Sequence, residues 1–400
     1  MTSPKSAHLT TAKTISPTTD WPVYSVLVPL YDEAQIIPIL IHALKRLDYP
    51  LERLEILIIC EADDHSTIDA LRPYLGAPFT LIEVPPSLPR TKPKALNVAL
   101  KQARGELITI YDAEDRPHPR QLKSAVQAFA THSDWQALQA PLDYFNHNVN
   151  WLTRQFALEY GVLFHIWVPF LARLGWPFPL GGTSNHIRRH ALDEIGGWDS
   201  YNVTEDADLS FRLAANGYKI GHIQDATNEE AVENWTAWQH QRARWIKGFI
   251  QTWLIHMSRP LIPGGLKGLI RFATIQITIG GAILAGLIHV PFMLWLGGCY
   301  GLSQFEYAVP SQHNWASLSI IFCYGTGIIS GIIAALRIGK PKLCLSALFM
   351  PLYWWLLFPA TLQALYEFLK SPFHWNKTTH GLGAITYDYF NDAELKDFKT

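Results

Sequence analysis

Hydrophobic and polar positions predict two kinds of secondary structure that alternate over residues 24 to about 142. Four short runs rich in β-branched residues are typical of buried strands: YSVLVPL (24–30), EILIIC (55–60), FTLIEV (79–84) and ELITIY (106–111). Apolar residues at helical spacing lie between them, as in AQIIPILIHALKRL and KALNVALKQA. Strands separated by helices predict an α/β fold with a mostly parallel, Rossmann-like sheet that is covered on both faces.

The pattern changes near residue 272, where long apolar segments begin: FATIQITIGGAILAGLIHVPFMLWLG (272–297), SLSIIFCYGTGIISGIIAAL (317–336) and LCLSALFMPLYWWLLFPATLQALYEFL (343–369). The first carries no charge and is long enough to cross a bilayer core of about 30 Å. Pro351 and Pro359 interrupt the third segment, which either crosses the bilayer or lies re-entrant in the interface. We favour the re-entrant form, which keeps the following tail in the cytoplasm. The sequence thus predicts a helical membrane region over 261–370 with two or three spans.

The rest of the chain divides around this membrane region. Residues 1–21 are polar and rich in Ser, Thr and Pro, without the apolar core of a signal peptide, which predicts a disordered lead-in. Residues 22–260 form the predicted α/β domain with interface helices, and residues 371–400 form a C-terminal tail. Lys and Arg flank the span ends nearest the α/β domain, whereas the loop 299–316 has neither. The positive-inside rule therefore predicts a multi-pass protein of the inner or cell membrane whose α/β domain lies in the cytoplasm.

Composition narrows the classes of function. The formal net charge is −1 and only 17% of residues are charged, which gives no electrostatic basis for binding nucleic acid. Hydrophobic residues reach 48% with 15 Trp, which is high for a soluble protein. The cysteines stand singly, without a CxxC pair or a histidine at ligand spacing, so neither a disulfide framework nor a zinc site is expected. They are Cys60, Cys299, Cys323 and Cys344.

Two acidic clusters directly follow predicted strands. EADD, with Asp63 and Asp64, follows the second strand, and DAED, with Asp112, Glu114 and Asp115, follows the fourth. Parallel sheets bind ligands at the carboxyl ends of their strands. Carboxylate oxygens suit a hard divalent cation that neutralises a diphosphate, although a solvated acidic turn gives the same pattern. The first cluster could accept hydrogen bonds from a nucleotide base or ribose, or Asp64 could cap the following helix.

Three further segments carry candidate chemistry. Asp206, in TEDADLSFRL, could take the proton of a sugar hydroxyl or could serve as a helix N-cap. Lys94, in KPKALN, could pair with a phosphate or lie on the surface. QHQRARW places two guanidinium groups, an amide and an indole within one or two helical turns, which suits a diphosphate and a sugar ring, or a helix on a membrane surface. Its candidate residues are Gln241, Arg242, Arg244 and Trp245.

The ordered set EADD, DAED, TED and QRARW, followed by membrane spans, resembles the inverting family 2 glycosyltransferases of the cellulose synthase type. The likeness covers roughly residues 22–260, and PLGGTSNHIRR, NVTEDADLSFRL and RARWIKGF are most similar to bacterial membrane β-glucan synthases. It implies a GT-A fold. It implies nucleotide binding by Asp63, Asp64, Lys94 and Asp112, a metal held by Asp112 with Glu114 or Asp115, and Asp206 as the general base. It implies pyrophosphate and acceptor binding by Gly182, Thr183, Ser184, Glu205, Gln241, Arg242, Arg244 and Trp245.

The same resemblance implies a metal-dependent transfer of glucose from UDP-glucose to a growing β-glucan, with inversion and with Mg²⁺ or Mn²⁺ as cofactor. The implied partners are the UDP-sugar, the acceptor and the lipid bilayer, and a second copy or a partner subunit if the polymer is exported. A lipid acceptor is the alternative, because ceramide glucosyltransferases have a similar set of motifs. A non-catalytic membrane scaffold that binds nucleotide sugars is the alternative from another class.

Overall fold

The computed structural model describes residues 21–258, 265–305 and 312–371. Its strands are β1 Tyr24–Leu30, β2 Leu54–Glu61, β3 Phe79–Val84, β4 Leu107–Ile110, β5 Arg116–Pro117, β6 Trp135–Gln139, β7 Leu142–Tyr144, β8 Asn185–Arg188, β9 Lys219–His222 and β10 Thr227–Glu229. Within these residues a seven-stranded sheet has the order β3-β2-β1-β4-β8-β6-β9, and a smaller sheet has the order β5-β10-β7. The prediction of an α/β fold with a central sheet is confirmed.

The four strands predicted from the sequence all run parallel. β1 pairs with β2 on one side and with β4 on the other, and β2 pairs with β3. The chain therefore moves outwards from β1 to β3 and then returns to the opposite side of β1, which creates a switch point at the carboxyl ends of β1 and β4. β8 runs antiparallel between β4 and β6, so the sheet is mixed although mostly parallel.

The helices cover both faces of the large sheet and extend beyond it. They are α1 Ile37–Lys45, α2 His65–Leu71, α3 Lys92–Leu100, α4 Gln121–Thr131, α5 Trp151–Val162, α6 Val168–Leu174, α7 Arg189–Ile195, α8 Glu205–Ala215, α9 Trp235–Met257, α10 Leu266–Ile275, α11 Gly281–Gln304, α12 Gln312–Arg337, α13 Cys344–Ala347, α14 Met350–Trp355 and α15 Leu357–Lys370. A π-helical turn at Leu163–Trp167 joins α5 to α6, and another at Gln276–Gly280 joins α10 to α11.

Alternating residues of the central strands pack into two separate apolar layers. Val26 and Val28 of β1 pack on the side of α1 with Ile37, whereas Leu27 packs on the side of α3 with Leu96. Side chains of a strand point to opposite faces at every second position, so a strand buried on both faces reads as a continuous apolar run. The polar turns at the carboxyl ends of these strands are therefore the first positions that can present chemistry.

Among the described helices, three are long and apolar enough to cross a bilayer: Trp151–Leu174, Leu266–Gln304 and Gln312–Arg337. The second and third match two spans predicted from the sequence, and half of the first is buried inside the protein, where it contacts α12. The predicted third segment is two helices, Pro341–Ala347 and Met350–Lys370, bent by 58° just before Pro351. The lead-in up to residue 20 and the tail beyond residue 371 lie outside the described residues, so the predictions for them stay untested.

Helix α9, which carries QRARW, packs between the α/β domain and the apolar helices that are candidates for membrane spans. It packs along α15, and Trp238 donates a hydrogen bond from its indole nitrogen to the Tyr353 hydroxyl at 3.0 Å. On its other side, a Cβ added at Gly248 would lie 2.4 Å from Thr204 Cγ2. Glycine at this position therefore allows α9 to contact the start of α8, and the two helices bring their functional residues together.

Candidate active site

A cavity of about 1050 Å³ opens at the switch point of the sheet. Its walls include Leu30 at the end of β1, Asp112 after β4, the start of α8 and the middle of α9. Residues of the helix 151–174 and of the π turn before α11 complete the lining. The predicted site residues in its lining are Asp112, Glu114, Gly182, Thr183, Glu205, Asp206, Gln241, Arg242, Arg244 and Trp245. The structure thus brings together four motifs that are far apart in sequence.

The acidic turn after β4 places its carboxylates at two depths. Asp112 and Glu114 line the cavity, whereas Asp115 is 1% exposed and lies behind the wall. Asp115 Oδ2 accepts hydrogen bonds from the Asp112 amide at 2.7 Å and from the Thr183 hydroxyl, and its Oδ1 has no partner among the described residues. Burial, together with repulsion from Asp112 and Glu114, raises the pKa of Asp115 well above its usual value.

A lysine that the sequence analysis missed faces this turn. The Lys92 ammonium contacts Asp112 Oδ1 and donates to the Gly182 carbonyl oxygen at 2.7 Å. Lys94, which was selected from the sequence, instead donates to Glu61 Oε1 at 3.1 Å and to the carbonyl oxygen of Ser87 at 3.1 Å. Both lysines lie in the first turn of α3. Which of them faces the cavity depends on how α3 packs against the sheet, and the sequence does not show this.

The Gly182–Ser184 segment forms the part of the cavity wall that lies against Lys92. A Cβ added at Gly182 would lie 3.4 Å from Asp206 Oδ2, so the absence of a side chain keeps space open in front of that carboxylate. Thr183 lines the cavity and holds Asp115. Ser184 is fully buried and its hydroxyl donates to Thr227 Oγ1 at 2.6 Å, so its side chain supports the wall from behind.

Glu205 and Asp206 share the first turn of α8, where the partial positive charge of the helix end favours carboxylates. Asp206 Oδ1 accepts a hydrogen bond from the Ala207 amide at 2.8 Å. Burial raises the pKa of Asp206 to about 6, and burial with repulsion from Asp206 raises the pKa of Glu205 to about 8. The two neighbouring carboxyl groups therefore hold about one proton between them near neutral pH, and Asp206 is the more acidic of the two.

The two arginines of α9 have different surroundings. Arg242 is buried and paired with Glu159, its Nη1 lying 2.7 Å from Oε1, and its Nη2 donates to the Tyr353 hydroxyl at 3.0 Å. Arg244 faces Glu205, Asp112 and Asp206; burial lowers its pKa and these carboxylates oppose the shift. Arg242 therefore ties α9 to α5 and α14, whereas Arg244 points its charge at the acidic side of the cavity.

An aromatic wall lies beside these charges. Trp245 packs against Tyr160 with ring centroids 6.2 Å apart, and Tyr160 packs against Tyr144 at 4.8 Å. Flat ring faces of this kind can hold a sugar ring, and the adjacent Gln241 has a buried amide oxygen without a partner among the described residues. The wall supplies shape, and the amide supplies an acceptor for a ligand hydroxyl.

Glu229 is a further cavity residue that sequence reasoning missed. It lies in β10, opposite Tyr144 of β7, and its Oε1 is buried without a partner among the described residues. Burial and repulsion from Asp115 and Glu114 raise its pKa well above the usual value. NEEA reads as a surface turn in the sequence, and only the long-range pairing of β10 with β5 and β7 brings it to the site.

Asp63 and Asp64 lie at the outer edge of the site and not in its lining. Asp64 caps α2, since its Oδ1 accepts from the Thr67 amide at 3.2 Å. Its Oδ2 accepts from the Asp32 amide at 2.6 Å, which fixes the turn after β1. Asp63 is ion-paired with Arg90, whose side chain lines the cavity.

The acidic side of the cavity has the donor chemistry for a divalent cation. In the part of the chain that the structure describes, no three His, Cys, Asp or Glu side chains are grouped to hold a metal by themselves. Mg²⁺ is usually held by one or two carboxylates together with phosphate oxygens of a substrate. Asp112 and Glu114 face the cavity, and the unpartnered Asp115 oxygen and the raised pKa of Asp115 indicate an excess of negative charge. The residues therefore fit a cation that arrives with a phosphate ligand.

The family model for Glycosyl transferase family group 2 matches residues 107–366. "Probable glycosyltransferase YdaM" of Bacillus subtilis is 29% identical over 57% of this chain and 55% of its own length. "Beta-monoglucosyldiacylglycerol synthase" of Synechocystis is 30% identical over 59% of this chain and 50% of its length. "Cellulose synthase 1 catalytic subunit [UDP-forming]" of Komagataeibacter xylinus is 26% identical over 62% of this chain and 33% of its length. The chain thus spans about half, or less, of these relatives.

Among solved structures, the mannosyltransferase PcManGT from Pyrobaculum calidifontis, in complex with GDP-Man and Mn²⁺, has a TM-score of 0.53 at 20% identity. The similarity covers 87% of this chain and 88% of that chain. It confirms the predicted GT-A fold.

Proposed function

This chain belongs to glycosyl transferase family group 2, and from that premise we propose that it transfers glucose from UDP-glucose, with inversion, to an acceptor hydroxyl at a membrane surface. One observation carries the proposal: Asp112, Asp206 and Trp245, from three separate motifs, line a single cavity. A nucleotide sugar matches this arrangement: the acidic turn suits its metal-bound diphosphate, the Asp206 carboxylate lies near where the carbon that reacts would be, and the aromatic wall suits its sugar ring. The glucosyl and UDP-forming names of two relatives support the choice of donor.

Asp206 is the proposed general base. A sugar or lipid hydroxyl is a weak nucleophile until a carboxylate takes its proton in the transition state. As the acceptor oxygen attacks the anomeric carbon, its proton moves to Asp206, and the bond to the nucleotide diphosphate breaks on the opposite side. One displacement of this kind inverts the anomeric configuration. Of the two neighbouring carboxyl groups, Asp206 has the lower pKa and is therefore the one that ionises first.

The proposed donor site lies on the acidic side of the cavity. Asp112, with Glu114 or Asp115, is the proposed ligand set for Mg²⁺ or Mn²⁺, which when bound supplies positive charge against the leaving diphosphate. Lys92 and Arg244 add fixed positive charge to the same side. We move the phosphate-facing role from Lys94 to Lys92, because hydrogen bonds to Glu61 and backbone carbonyls occupy the Lys94 ammonium. At the outer edge, the proposed nucleotide contacts are Asp63 and Asp64.

The proposed acceptor site lies on the aromatic side. Gly182, Thr183, Gln241 and Trp245 line it, and a sugar hydroxyl would satisfy the buried Gln241 oxygen. Ser184 supports this wall from behind through Thr227, whereas Arg242 is part of the lining and is held in place by Glu159. The proposed reaction requires only one free hydroxyl group on the acceptor, and both a glucan chain and a lipid provide one. Export of a glucan would also require a second copy or a partner subunit. We propose that the catalytic domain lies in the cytoplasm, so that the reaction takes place at the inner face of the membrane.

The proposed function is tested with the purified full chain in detergent, radiolabelled UDP-glucose, UDP-N-acetylglucosamine and GDP-mannose, and mixed glucan and lipid acceptors. We expect transfer from UDP-glucose, a fall to background when a chelator removes divalent cations, and recovery with Mg²⁺ or Mn²⁺. Failure to release nucleotide from any of these donors with either cation would contradict the proposal and favour the non-catalytic scaffold.

The pKa of Asp206 sets an expected pH dependence. The base must be ionised, and burial raises its pKa to about 6, so activity should be full above this pH and fall as the pH drops through it. At pH 5 we expect kcat/KM about tenfold below its plateau, because about a tenth of the carboxyl groups stay ionised. The measurement is kcat/KM for the donor between pH 5 and 8, and a constant value over this range would contradict the assignment.

Lys92 and Lys94 form a matched pair for separating donor binding from stability. Lys92→Met removes the cation beside Asp112 and should raise KM for UDP-glucose by at least about tenfold, as expected for a lost charged contact. Lys94→Met leaves the buried Glu61 unpaired and should lower the free energy of unfolding by about 3 kcal/mol. Steady-state kinetics and thermal unfolding of both variants provide the measurement. A change in donor KM at unchanged stability in Lys94→Met would instead restore the assignment made from the sequence.

A further inference from the structure

The helix 151–174 carries an apolar face that the described part of the chain leaves about half exposed. Leu163, Trp167, Phe170 and Leu174 are each 39–50% exposed. Their spacing of four, three and four residues places them on one side of the helix. A continuous exposed apolar surface of this kind is unfavourable in water and is typical of a surface that meets a membrane or a partner.

The contacts of α12, the candidate span Gln312–Arg337, place the helix 151–174 at the level of the membrane surface. Gly161 of α5 lies against α12, since a Cβ added there would be 3.2 Å from Ala334 Cβ. At the end of α12, the Arg337 guanidinium donates to the His165 carbonyl oxygen at 2.5 Å, and Lys340 donates to a backbone carbonyl of β7. Basic residues at the end of a span lie among lipid headgroups. The helix 151–174 is therefore held at headgroup depth with its apolar face available to the bilayer.

The cavity reaches this membrane-facing surface. Leu163 and Trp167 are both exposed and part of the cavity lining, so they lie at its rim. Ile277, 65% exposed at the start of the first span, lies at the same rim. Val168 and Leu171 continue the apolar lining from this rim towards the interior. An apolar passage thus connects the surface facing the bilayer with the space in front of Asp206.

We infer that the acceptor is a membrane lipid with a free headgroup hydroxyl, and that it enters sideways between the helix 151–174 and the start of the first span. The inference rests on the proposed function and selects one of its two acceptor classes. Acyl chains would stay against Leu163, Trp167 and Ile277 while the hydroxyl reaches Asp206. A hydrated glucan would bury many hydroxyl groups against the same apolar rim without partners, which is unfavourable.

The test uses the full chain in phosphatidylcholine vesicles with or without dioleoylglycerol, with radiolabelled UDP-glucose, a divalent cation and cellotetraose in the solution. We expect a monoglucosyl lipid that extracts into organic solvent and forms only when dioleoylglycerol is present. Transfer to cellotetraose or to an aqueous polymer alone would overturn the inference and leave the proposed function intact. Absence of UDP-glucose binding, measured by calorimetry, would overturn both.

Trp167 and Phe170 provide a matched pair for the sideways route. Both are aromatic, exposed to the same extent and on the same apolar face, but only Trp167 lines the cavity. Trp167→Asn should raise KM for dioleoylglycerol by about tenfold with KM for UDP-glucose unchanged, as expected for losing an apolar contact with the substrate. Phe170→Asn should leave both KM values unchanged, with equal vesicle binding by the two variants. Equal KM values for dioleoylglycerol in both variants would overturn the route.

Discussion

Replacing Asp206 by asparagine is expected to lower kcat for glucose transfer by about 10³-fold, which is the usual contribution of a positioned general base. Asparagine keeps the shape of the side chain and cannot take the proton of the acceptor hydroxyl. Because the proposed donor site consists mainly of the acidic turn and Arg244, the affinity for the donor should change little. The measurements are product formation under saturating substrates and calorimetric titration with UDP-glucose.

The neighbouring Glu205→Gln variant is the matched control. Burial and repulsion from Asp206 raise the pKa of Glu205 to about 8, so an amide at this position changes the charge of the site less than an amide at Asp206 does. This variant should retain activity within about tenfold of the parent, far above the loss expected for a missing base. Full activity in Asp206→Asn would remove the assigned base. A loss in Glu205→Gln as large as that in Asp206→Asn would move the base to Glu205.

The second large effect is expected at Arg242, where methionine should lower the free energy of unfolding by about 3 kcal/mol. Arg242 is buried, and its removal leaves Glu159 without its ion pair and the Tyr353 hydroxyl without one of its donors. Removing one partner of a buried pair is costly because the remaining charge stays desolvated. Thermal and denaturant unfolding in detergent, followed by tryptophan fluorescence, provides the measurement.

Arg244→Met is the control for Arg242→Met, two residues along the same helix. Arg244 faces carboxylates of the proposed donor site, so its loss should reduce kcat/KM by about 10²-fold, a magnitude typical of a charged group that stabilises a leaving group. Its effect on unfolding should be the smaller of the two. If Arg242→Met is as stable as the parent and loses only donor binding, Arg242 contacts the pyrophosphate directly and the structural role assigned to it is wrong.

The sequence predicted the parts of the fold that depend on local pattern. The four parallel strands were recognisable because each is buried on both faces and therefore reads as a continuous apolar run, and their order fixes which turns meet at the switch point. β8 was missed, since NHIR is short and polar and becomes a strand only through antiparallel pairing with β4 and β6. Long-range pairing of this kind leaves little signal in a short segment.

In the candidate site, too, residues within local motifs were predicted from the sequence, whereas residues placed by long-range packing were not. Asp112, Asp206 and Trp245 were selected from motifs, and one cavity contains all three. The choice between Lys92 and Lys94 depends on the direction in which α3 leaves its cap at Thr91, which spacing alone does not give. Glu229 lacks a local signal because its position depends on β10. The depth of Asp115 depends on a hydrogen bond from Thr183, 68 residues away in sequence.

The central claim is that Asp112, Asp206 and Trp245 surround one activated sugar. Its most direct test is an experimental structure of the Asp206→Asn variant with UDP-glucose and Mn²⁺ bound. This variant lacks the proposed base, so the donor should remain intact during the experiment. We predict the diphosphate and cation at Asp112, the sugar between residue 206 and the aromatic wall, and the anomeric carbon open towards residue 206. A donor bound outside this cavity, or a sugar whose anomeric carbon faces away from residue 206, would contradict the account.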